Sequence, residues 1–143
     1  MRGKATIRGV EFGAALSLNR HVKVDANFSV LRFDLDASSF IPGDVVKPNA
    51  PEHKGNVTLA LRDVMGLDAT INARFTSGFD WSAGTFTGPV PATTTFNASA
   101  SYAVTPQIRI TAVASNLFDQ QRYQNFGGAV IGRRVMAGVN ARF

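Results

Sequence analysis

The chain has 143 residues, of which 45% are apolar and 17% are charged, whereas ordinary globular chains carry roughly 25% charged residues. It contains no cysteine, which excludes disulfide bonds, thiolate nucleophiles and cysteine-ligated metal sites. The formal net charge is +5, but the lysines and arginines are scattered singly along the chain apart from Arg133 and Arg134. A nucleic-acid surface gathers its cations on one face, so this pattern predicts no nucleic-acid partner.

Apolar and polar residues alternate with a period of two in seven segments, which predicts seven β-strands. In chain order the predicted strands lie near residues 4–18, 22–35, 54–64, 67–79, 93–104, 107–117 and 131–143. All six prolines lie outside these segments, as expected where a sheet needs every backbone N–H. Short turns at 19–21, 64–66 and 105–106 alternate with long loops at 36–53, 80–92 and 118–130. Short turns on one rim and long loops on the other are typical of a transmembrane β-barrel.

The register of the first predicted hairpin follows from its two faces, because successive side chains of a strand point to opposite sides. A three-residue turn at 19–21 sets Leu16 opposite Val24 and Phe12 opposite Phe28. A slip by one residue would mix the apolar and polar faces, so this register is strongly preferred.

The strand lengths and the apolar face favour a membrane barrel over a soluble β-sandwich, which also alternates. The predicted strands have ten or more residues, whereas ordinary strands have about five or six. The apolar face is rich in Ala and Val, and aromatic residues such as Trp81 and Tyr102 lie near strand ends, as in interfacial girdles. We therefore predict an all-β fold, an antiparallel transmembrane β-barrel portion of about seven long strands that is incomplete on its own.

The direction of the strands predicts that others precede them. The first and seventh predicted strands both run from the long-loop rim to the short-turn rim. Bacterial single-chain barrels have an even number of strands, so we expect an odd number upstream of residue 4. In addition, charged residues interrupt the first 25 residues, which therefore lack the apolar region of a secretory signal.

The C-terminal segments SNLFDQQRYQNFG (115–127) and IGRRVMAGVNARF (131–143) resemble the last two strands of TonB-dependent outer-membrane receptors. The segments NAPEHKGNVTLAL (49–61) and GKATIRGVEFGAAL (3–16) are similar to earlier strands of the same barrels. The resemblance implies that residues 1–143 are the C-terminal barrel segment of such a receptor, without plug domain or signal peptide. It also implies the Gram-negative cell outer membrane and uptake of a scarce solute, such as a ferric siderophore, cobalamin or a glycan, energised by the TonB system through the missing N-terminal part.

Three sets of residues are functional candidates within this resemblance. The lumen residues predicted to face a ligand or the plug are Glu11, Lys23, Asp25, Arg62, Arg74 and Arg109. The extracellular-loop residues predicted to face a ligand are Phe40, Asp44, Trp81, Phe86 and Tyr123. The residues of the terminal strand that resemble the signal read by the barrel-assembly machinery are Val135, Val139 and Phe143.

Simpler, purely structural explanations also account for some of these residues. The lumen charges are also explained by solvation and cross-strand ion pairing, and a turn centred on Met65 predicts Arg62 opposite Asp68. Outer-membrane lipid is an expected partner of the apolar face. Arg8 and Arg32 fall on that face near the long-loop rim, where two explanations are open: they meet lipopolysaccharide phosphates, an expected partner, or they only snorkel to the interface.

No enzymatic activity and no cofactor or metal is predicted. The two histidines, His21 and His53, have no partner at metal or catalytic-triad spacing, and no zincin, serine-hydrolase or phosphate-loop motif is present. Two alternatives to a receptor segment remain. One is a free-standing small barrel or a non-functional receptor remnant with a structural role only; the other, a barrel enzyme, needs a Ser/His or Asp/His site that the sequence does not supply.

Overall fold

A computed structural model describes residues 5–35, 48–83 and 85–143. Within these ranges the chain forms nine β-strands and no helix, and so no helix that could cross a membrane. The strands are β1 (Ala5–Ser17), β2 (Val22–Leu35), β3 (His53–Val64), β4 (Leu67–Thr76), β5 (Phe79–Ala83), β6 (Phe86–Val90), β7 (Thr93–Ala103), β8 (Ile108–Ser115) and β9 (Arg134–Ala141).

Seven of the strands form one antiparallel sheet in the order β1-β2-β3-β4-β7-β8-β9, and each of them corresponds to one of the seven predicted strands. β5 and β6 form a separate hairpin. The edge strands β1 and β9 are not paired with each other, so the main sheet is open. The all-β prediction is confirmed, and the open sheet is consistent with part of a barrel.

The predicted register of the first hairpin is confirmed. Leu16 is the partner of Val24, and Phe12 is the partner of Phe28. The same parity continues across the sheet, where Leu59 pairs with Ile71 and later Ala112 pairs with Ala137. Most apolar residues of the seven strands therefore share one face, which we call the apolar face; the opposite side, which also carries a few apolar residues such as Val113 and Met136, is called the polar face.

The predicted long loop at 80–92 contains the β5–β6 hairpin, and β4 accordingly ends at Thr76 rather than near residue 79. Pro89 lies within β6, opposite Asp80. A two-stranded hairpin tolerates this proline because its outer edge requires no donor. The last strand begins at Arg134 rather than 131, since Ile131 makes an isolated bridge to the loop residue Arg122.

The turn between β3 and β4 corrects one predicted pairing. Met65 and Gly66 have φ angles of 53° and 81°, typical of the type I′ turn whose twist matches that of the strands. A register shift between Leu61 and Val64 precedes this turn. The bulge sets two residues, Arg62 and Asp63, against the single residue Asp68, so the predicted one-to-one pairing of Arg62 with Asp68 is corrected to a two-to-one arrangement.

The main sheet is a single layer whose apolar face is uncovered. Phe12 is 64% exposed, Ile71 54% and Val139 69%. Among the described residues the buried apolar side chains are Pro51, Ala60 and Val90. A soluble β-sandwich would bury this face against a second sheet, so the sheet lacks the core that a water-soluble domain of this length needs.

Candidate functional site

The polar face carries a chain of hydrogen-bonded asparagine amides that crosses from β8 to β3. The backbone N–H of Asn116 donates to Asn97 Oδ1 over 3.1 Å, and Asn97 Nδ2 donates to Asn72 Oδ1 over 3.1 Å. Asn72 Nδ2 in turn donates to Asn56 Oδ1 over 2.6 Å and to Thr58 Oγ1 over 2.8 Å. The amides thereby connect side chains on neighbouring strands without any charged group.

Asn116 anchors this chain at the end of β8. It is 3% exposed and has a φ of 52°, a conformation that asparagine tolerates better than most residues. Its Nδ2 donates to the carbonyl oxygens of Gln120 and Ile131 over 2.8 and 3.2 Å, and its Oδ1 accepts from Gln120 N–H over 3.0 Å. These bonds close the loop between β8 and β9 on itself at the end of β8.

Asp119 makes the second contact of this loop. Its Oδ1 accepts a hydrogen bond from the N–H of Arg133 over 2.6 Å, and its φ is 53°. Asn116 and Asp119 both bond backbone N–H groups just beyond the end of β8, and Asp119 thereby fixes the entry to β9.

Ion pairs lie on the polar face near the short-turn rim. Lys23 Nζ is 2.8 Å from Asp25 Oδ1 on the same strand. Arg109 Nη1 donates to Asp68 Oδ2 over 2.6 Å and to Ser101 Oγ over 2.8 Å. The ion-pair partner of Asp68 is therefore Arg109 on β8, while its other carboxylate oxygen accepts from the N–H of Asp63 over 2.9 Å.

The six predicted lumen residues do not form one cluster. Lys23, Asp25 and Arg109 lie near the short-turn rim, because each is within four residues of a strand end at that rim. Glu11 lies in the middle of β1, and Arg74 lies toward the long-loop rim. Their functional role as ligand or plug contacts remains a prediction.

The backbone N–H and carbonyl oxygen of Arg62, which lies at the bulge, are both hydrogen-bonded to His21. Its N–H donates to His21 O over 2.7 Å, and the Nδ1 of His21 is 2.8 Å from its carbonyl oxygen. The Nε of Arg20 donates to the other ring nitrogen of His21 over 2.8 Å. The Nδ1 and the backbone carbonyl of His21 thus join the first turn to β3, while Nε2 is bonded within the turn, which gives this histidine a structural role.

The β5–β6 hairpin is anchored at the long-loop rim on two sides. The Nδ2 of Asn49 donates to Ser82 O over 2.7 Å, and its Oδ1 accepts from Ser82 N–H over 2.6 Å. On the other side, a Cβ added at Gly88 would lie within 2.2 Å of the Phe126 ring, so that ring packs directly on the hairpin backbone. The hairpin, the approach to β3 and the β8–β9 loop therefore meet at one place.

The predicted extracellular-loop residues are distributed over this rim. Trp81 lies on β5 with its ring centroid 6.5 Å from that of Phe79. Phe86 on β6 is 69% exposed, and Tyr123 in the β8–β9 loop is 41% exposed. Phe40 and Asp44 lie outside the described residues.

A pocket of about 240 Å³ opens on the polar face below this rim. Three cations on three different segments line it, namely Lys54 on β3, Arg74 on β4 and Arg122 in the β8–β9 loop. Tyr123 lines the same pocket, so the structure brings together Arg74 and Tyr123, which the sequence placed in separate sets. The sequence did not single out Lys54 or Arg122.

The apolar face has two features of its own. Arg8 is the direct cross-strand partner of Arg32, and no ion pair of either is present in the described part of the chain. A groove of about 650 Å³ runs over Gly55, where the Phe28 ring lies against the backbone. On β9, the exposed side chains of Val135 and Val139 share this face, and Phe143 beyond it is exposed as well.

No group of three or more His, Asp or Glu side chains in the described ranges is arranged to hold a metal ion. His53 stacks on Phe28 with a ring-centroid distance of 6.2 Å. The site is thus a wall of amides, hydroxyls and ion pairs on one side and aliphatic side chains on the other. Such a wall can separate an aqueous interior from lipid.

Solved structures share this fold across nearly the whole chain. The siderophore receptor PiuA from Acinetobacter baumannii superposes with a TM-score of 0.77 at 18% identity, covering 97% of this chain and 22% of its own. The pyoverdine outer membrane receptor FpvA from Pseudomonas aeruginosa PAO1 superposes with a TM-score of 0.77 at 16% identity, covering 97% of this chain and 22% of its own. The copper transporter OprC superposes with a TM-score of 0.74 at 21% identity, covering 97% of this chain and 24% of its own. The comparison with curated proteins found no match.

The fold and the two-faced wall define the class as an antiparallel β-barrel segment. The sequence model of the family described as TonB dependent receptor-like, beta-barrel matches residues 2–117. The chain therefore belongs to the TonB-dependent receptor family, and it spans less than a quarter of each of the three solved chains compared above.

Proposed function

We propose that this chain forms part of the barrel wall of an outer-membrane receptor that takes up a scarce solute, using energy relayed through the TonB system. One observation carries the proposal: a single-layer sheet of seven long antiparallel strands exposes a continuous apolar face and keeps its amides and ion pairs on the other face. In a bilayer the apolar face contacts lipid, and closing the sheet satisfies its edges.

Family membership supports the outer membrane of a Gram-negative bacterium as the location. The wall has to be closed by further strands, because β1 and β9 would otherwise present unpaired backbone groups to lipid. The barrel-assembly machinery, TonB and a plug domain are the partners that such a receptor would have. A receptor role rather than an enzymatic one is supported by the names of the similar structures, which are those of receptors and a transporter.

A siderophore-bound metal, cobalamin or a glycan is the proposed class of solute. Similar structures whose names mention pyoverdine and copper support a metal or metal complex among these. The rim formed by Trp81, Phe86 and Tyr123 is the proposed surface at which the solute first makes contact.

The proposal is tested in cells that express the receptor polypeptide containing this chain. Uptake of radiolabelled ferric siderophores, cobalamin and oligosaccharides is measured in paired strains with and without TonB. We expect one class to accumulate only in the strain that has TonB. Accumulation of none of them, or equal accumulation in both strains, would contradict the proposal.

A further inference from the structure

We propose that the pocket lined by Lys54, Arg74 and Arg122, here called the cationic pocket, binds an anionic group, a carboxylate or a phosphate. The inference rests on the proposed function and adds to it the chemistry of one group that the lumen accommodates. Its basis is the convergence of three cations from three segments on a small concave site.

The strand register brings two of the cations together. Lys54 pairs with Thr76, which follows Arg74 by two residues on the same face of β4. Diagonal neighbours of this kind have side chains about 7–8 Å apart in an antiparallel sheet, within reach of long side chains. Like charges so placed repel each other. An anion between them would attract both cations and thereby outweigh their mutual repulsion.

The third cation comes from the β8–β9 loop. Arg122 is held there by its bridge to Ile131, whose carbonyl is bound in turn by buried Asn116. The Nε of Arg122 is buried and has no hydrogen-bond partner among the described residues. A buried donor of a charged group left unpaired is costly, and an acceptor on a bound anion would satisfy it.

The rest of the lining fits an anion. Three threonines, Thr76, Thr93 and Thr95, line the pocket, and Thr95 is 5% exposed. Of the described residues that line the pocket, none is acidic. Phe79 and Val90 at the base of the hairpin close the rim side with apolar surface, which lowers the local dielectric and strengthens charge-assisted hydrogen bonds.

The size of the pocket limits what can enter. A water molecule takes up about 30 Å³ of liquid volume, so about 240 Å³ holds one carboxylate or phosphate group with its nearest atoms. The group has two possible sources, the passing solute or an acidic side chain of another segment of the receptor. Both present the same chemistry to the three cations.

The test uses citrate as the probe, titrated calorimetrically into the folded chain in uncharged detergent at low ionic strength. Heat-modifiable gel mobility establishes first that the chain is folded; where it does not fold alone, the titration is made on the receptor barrel from which the plug domain has been deleted. We expect saturable binding that Arg74→Gln and Lys54→Gln each weaken roughly tenfold, about the effect of one hydrogen bond to a charged group.

Two further variants separate charge placement from stability. Arg122→Lys keeps the charge and is expected to bind more tightly than Arg122→Gln. Arg142→Gln removes an exposed polar-face cation at the opposite rim and is expected to leave citrate binding unchanged. Absence of saturable binding by folded protein, or equal weakening by Arg142→Gln and Arg74→Gln, would overturn the inference.

The source of the anion is distinguished by repeating the titration in the whole receptor. Binding that persists there indicates a site open to the solute. Binding to the chain that disappears in the whole receptor indicates that an acidic side chain of the receptor fills the pocket. Failure of the TonB-dependent uptake test with citrate binding intact would contradict the proposed function and leave the cationic pocket standing.

Discussion

Asn116 shows how much one polar side chain contributes to this single-layer wall. It satisfies two carbonyl oxygens and one N–H of the β8–β9 loop while its own N–H continues the amide chain to Asn97. The side-chain bonds close the loop on itself, and three other bonds tie it to β7: those of the Asn116 N–H to Asn97, of the Leu117 N–H to Phe96 O, and of the Thr94 N–H to Gln120 Oε1. The loop in turn carries Arg122 and Tyr123 to the cationic pocket.

We expect Asn116→Ala to lower the free energy of unfolding by about 2 to 3 kcal/mol, because buried backbone groups lose their partners. The measurement is urea unfolding in detergent micelles. Asn140→Ala on β9 is the matched control, since Asn140 is exposed, and its change is expected to stay within about 0.5 kcal/mol. Equal effects of the two substitutions would show that the bonds of Asn116 do not hold the loop.

The choice of Arg109 over Arg62 as the partner of Asp68 gives a second prediction. Arg109→Gln is expected to lower the urea midpoint more at about 0.01 M salt than at about 1 M, where the Debye length falls from about 30 to about 3 Å. Arg62→Gln is expected to show a smaller effect with less dependence on salt. A larger salt-dependent loss for Arg62→Gln would restore the pairing that the sequence suggested.

At the scale of elements, strand parity decides which residues meet lipid and which meet water. Ala98 in the middle of β7 lies on the apolar face between Ile71 and Ala114. Its neighbour Ser99 lies on the polar face. The connection between β3 and β4 depends on two residues, Met65 and Gly66, whose positive φ angles form its turn.

We expect Ala98→Arg to destabilise the protein in lipid vesicles by about 2–4 kcal/mol, the cost of a cation on the lipid side near the bilayer midplane. Ser99→Arg is the adjacent control and is expected to have a much smaller effect, because its side chain points to the aqueous face. The measurement is the free energy of unfolding in vesicles. A reversed order would mean that the two faces have been exchanged.

For the whole molecule, assembly and stability are separate properties. β9 presents Val135 and Val139 on the apolar face and ends shortly before the exposed ring of Phe143. Phe143 contributes little packing, so its proposed role lies in recognition by the barrel-assembly machinery rather than in the folded wall.

We expect Phe143→Ala to reduce the amount of receptor in the outer membrane several-fold while leaving refolding in detergent unchanged. The measurement compares outer-membrane abundance in cells with heat-modifiable mobility of the refolded protein. Phe86→Ala removes another exposed phenyl ring, on the hairpin, and is the control expected to leave abundance unchanged. Unaltered abundance of Phe143→Ala would remove this residue from the assembly signal.

The sequence by itself determined the seven long strands, the two faces and the register of the first hairpin. Strand alternation is a local property with a period of two, and a buried or lipid-facing side leaves little freedom of register. The family resemblance at Asn116 and along β9 came from contiguous motifs. These features need no knowledge of which distant segments meet.

Only the tertiary structure decided the remaining features. Asp68, which lies opposite the bulge before Met65, forms its ion pair with Arg109, a residue 41 positions away. The amide chain and the cationic pocket join strands and loops whose contacts depend on β7 pairing with β4 across the β5–β6 hairpin. Such contacts arise from packing between segments far apart in the chain, and alternation within each segment does not encode them.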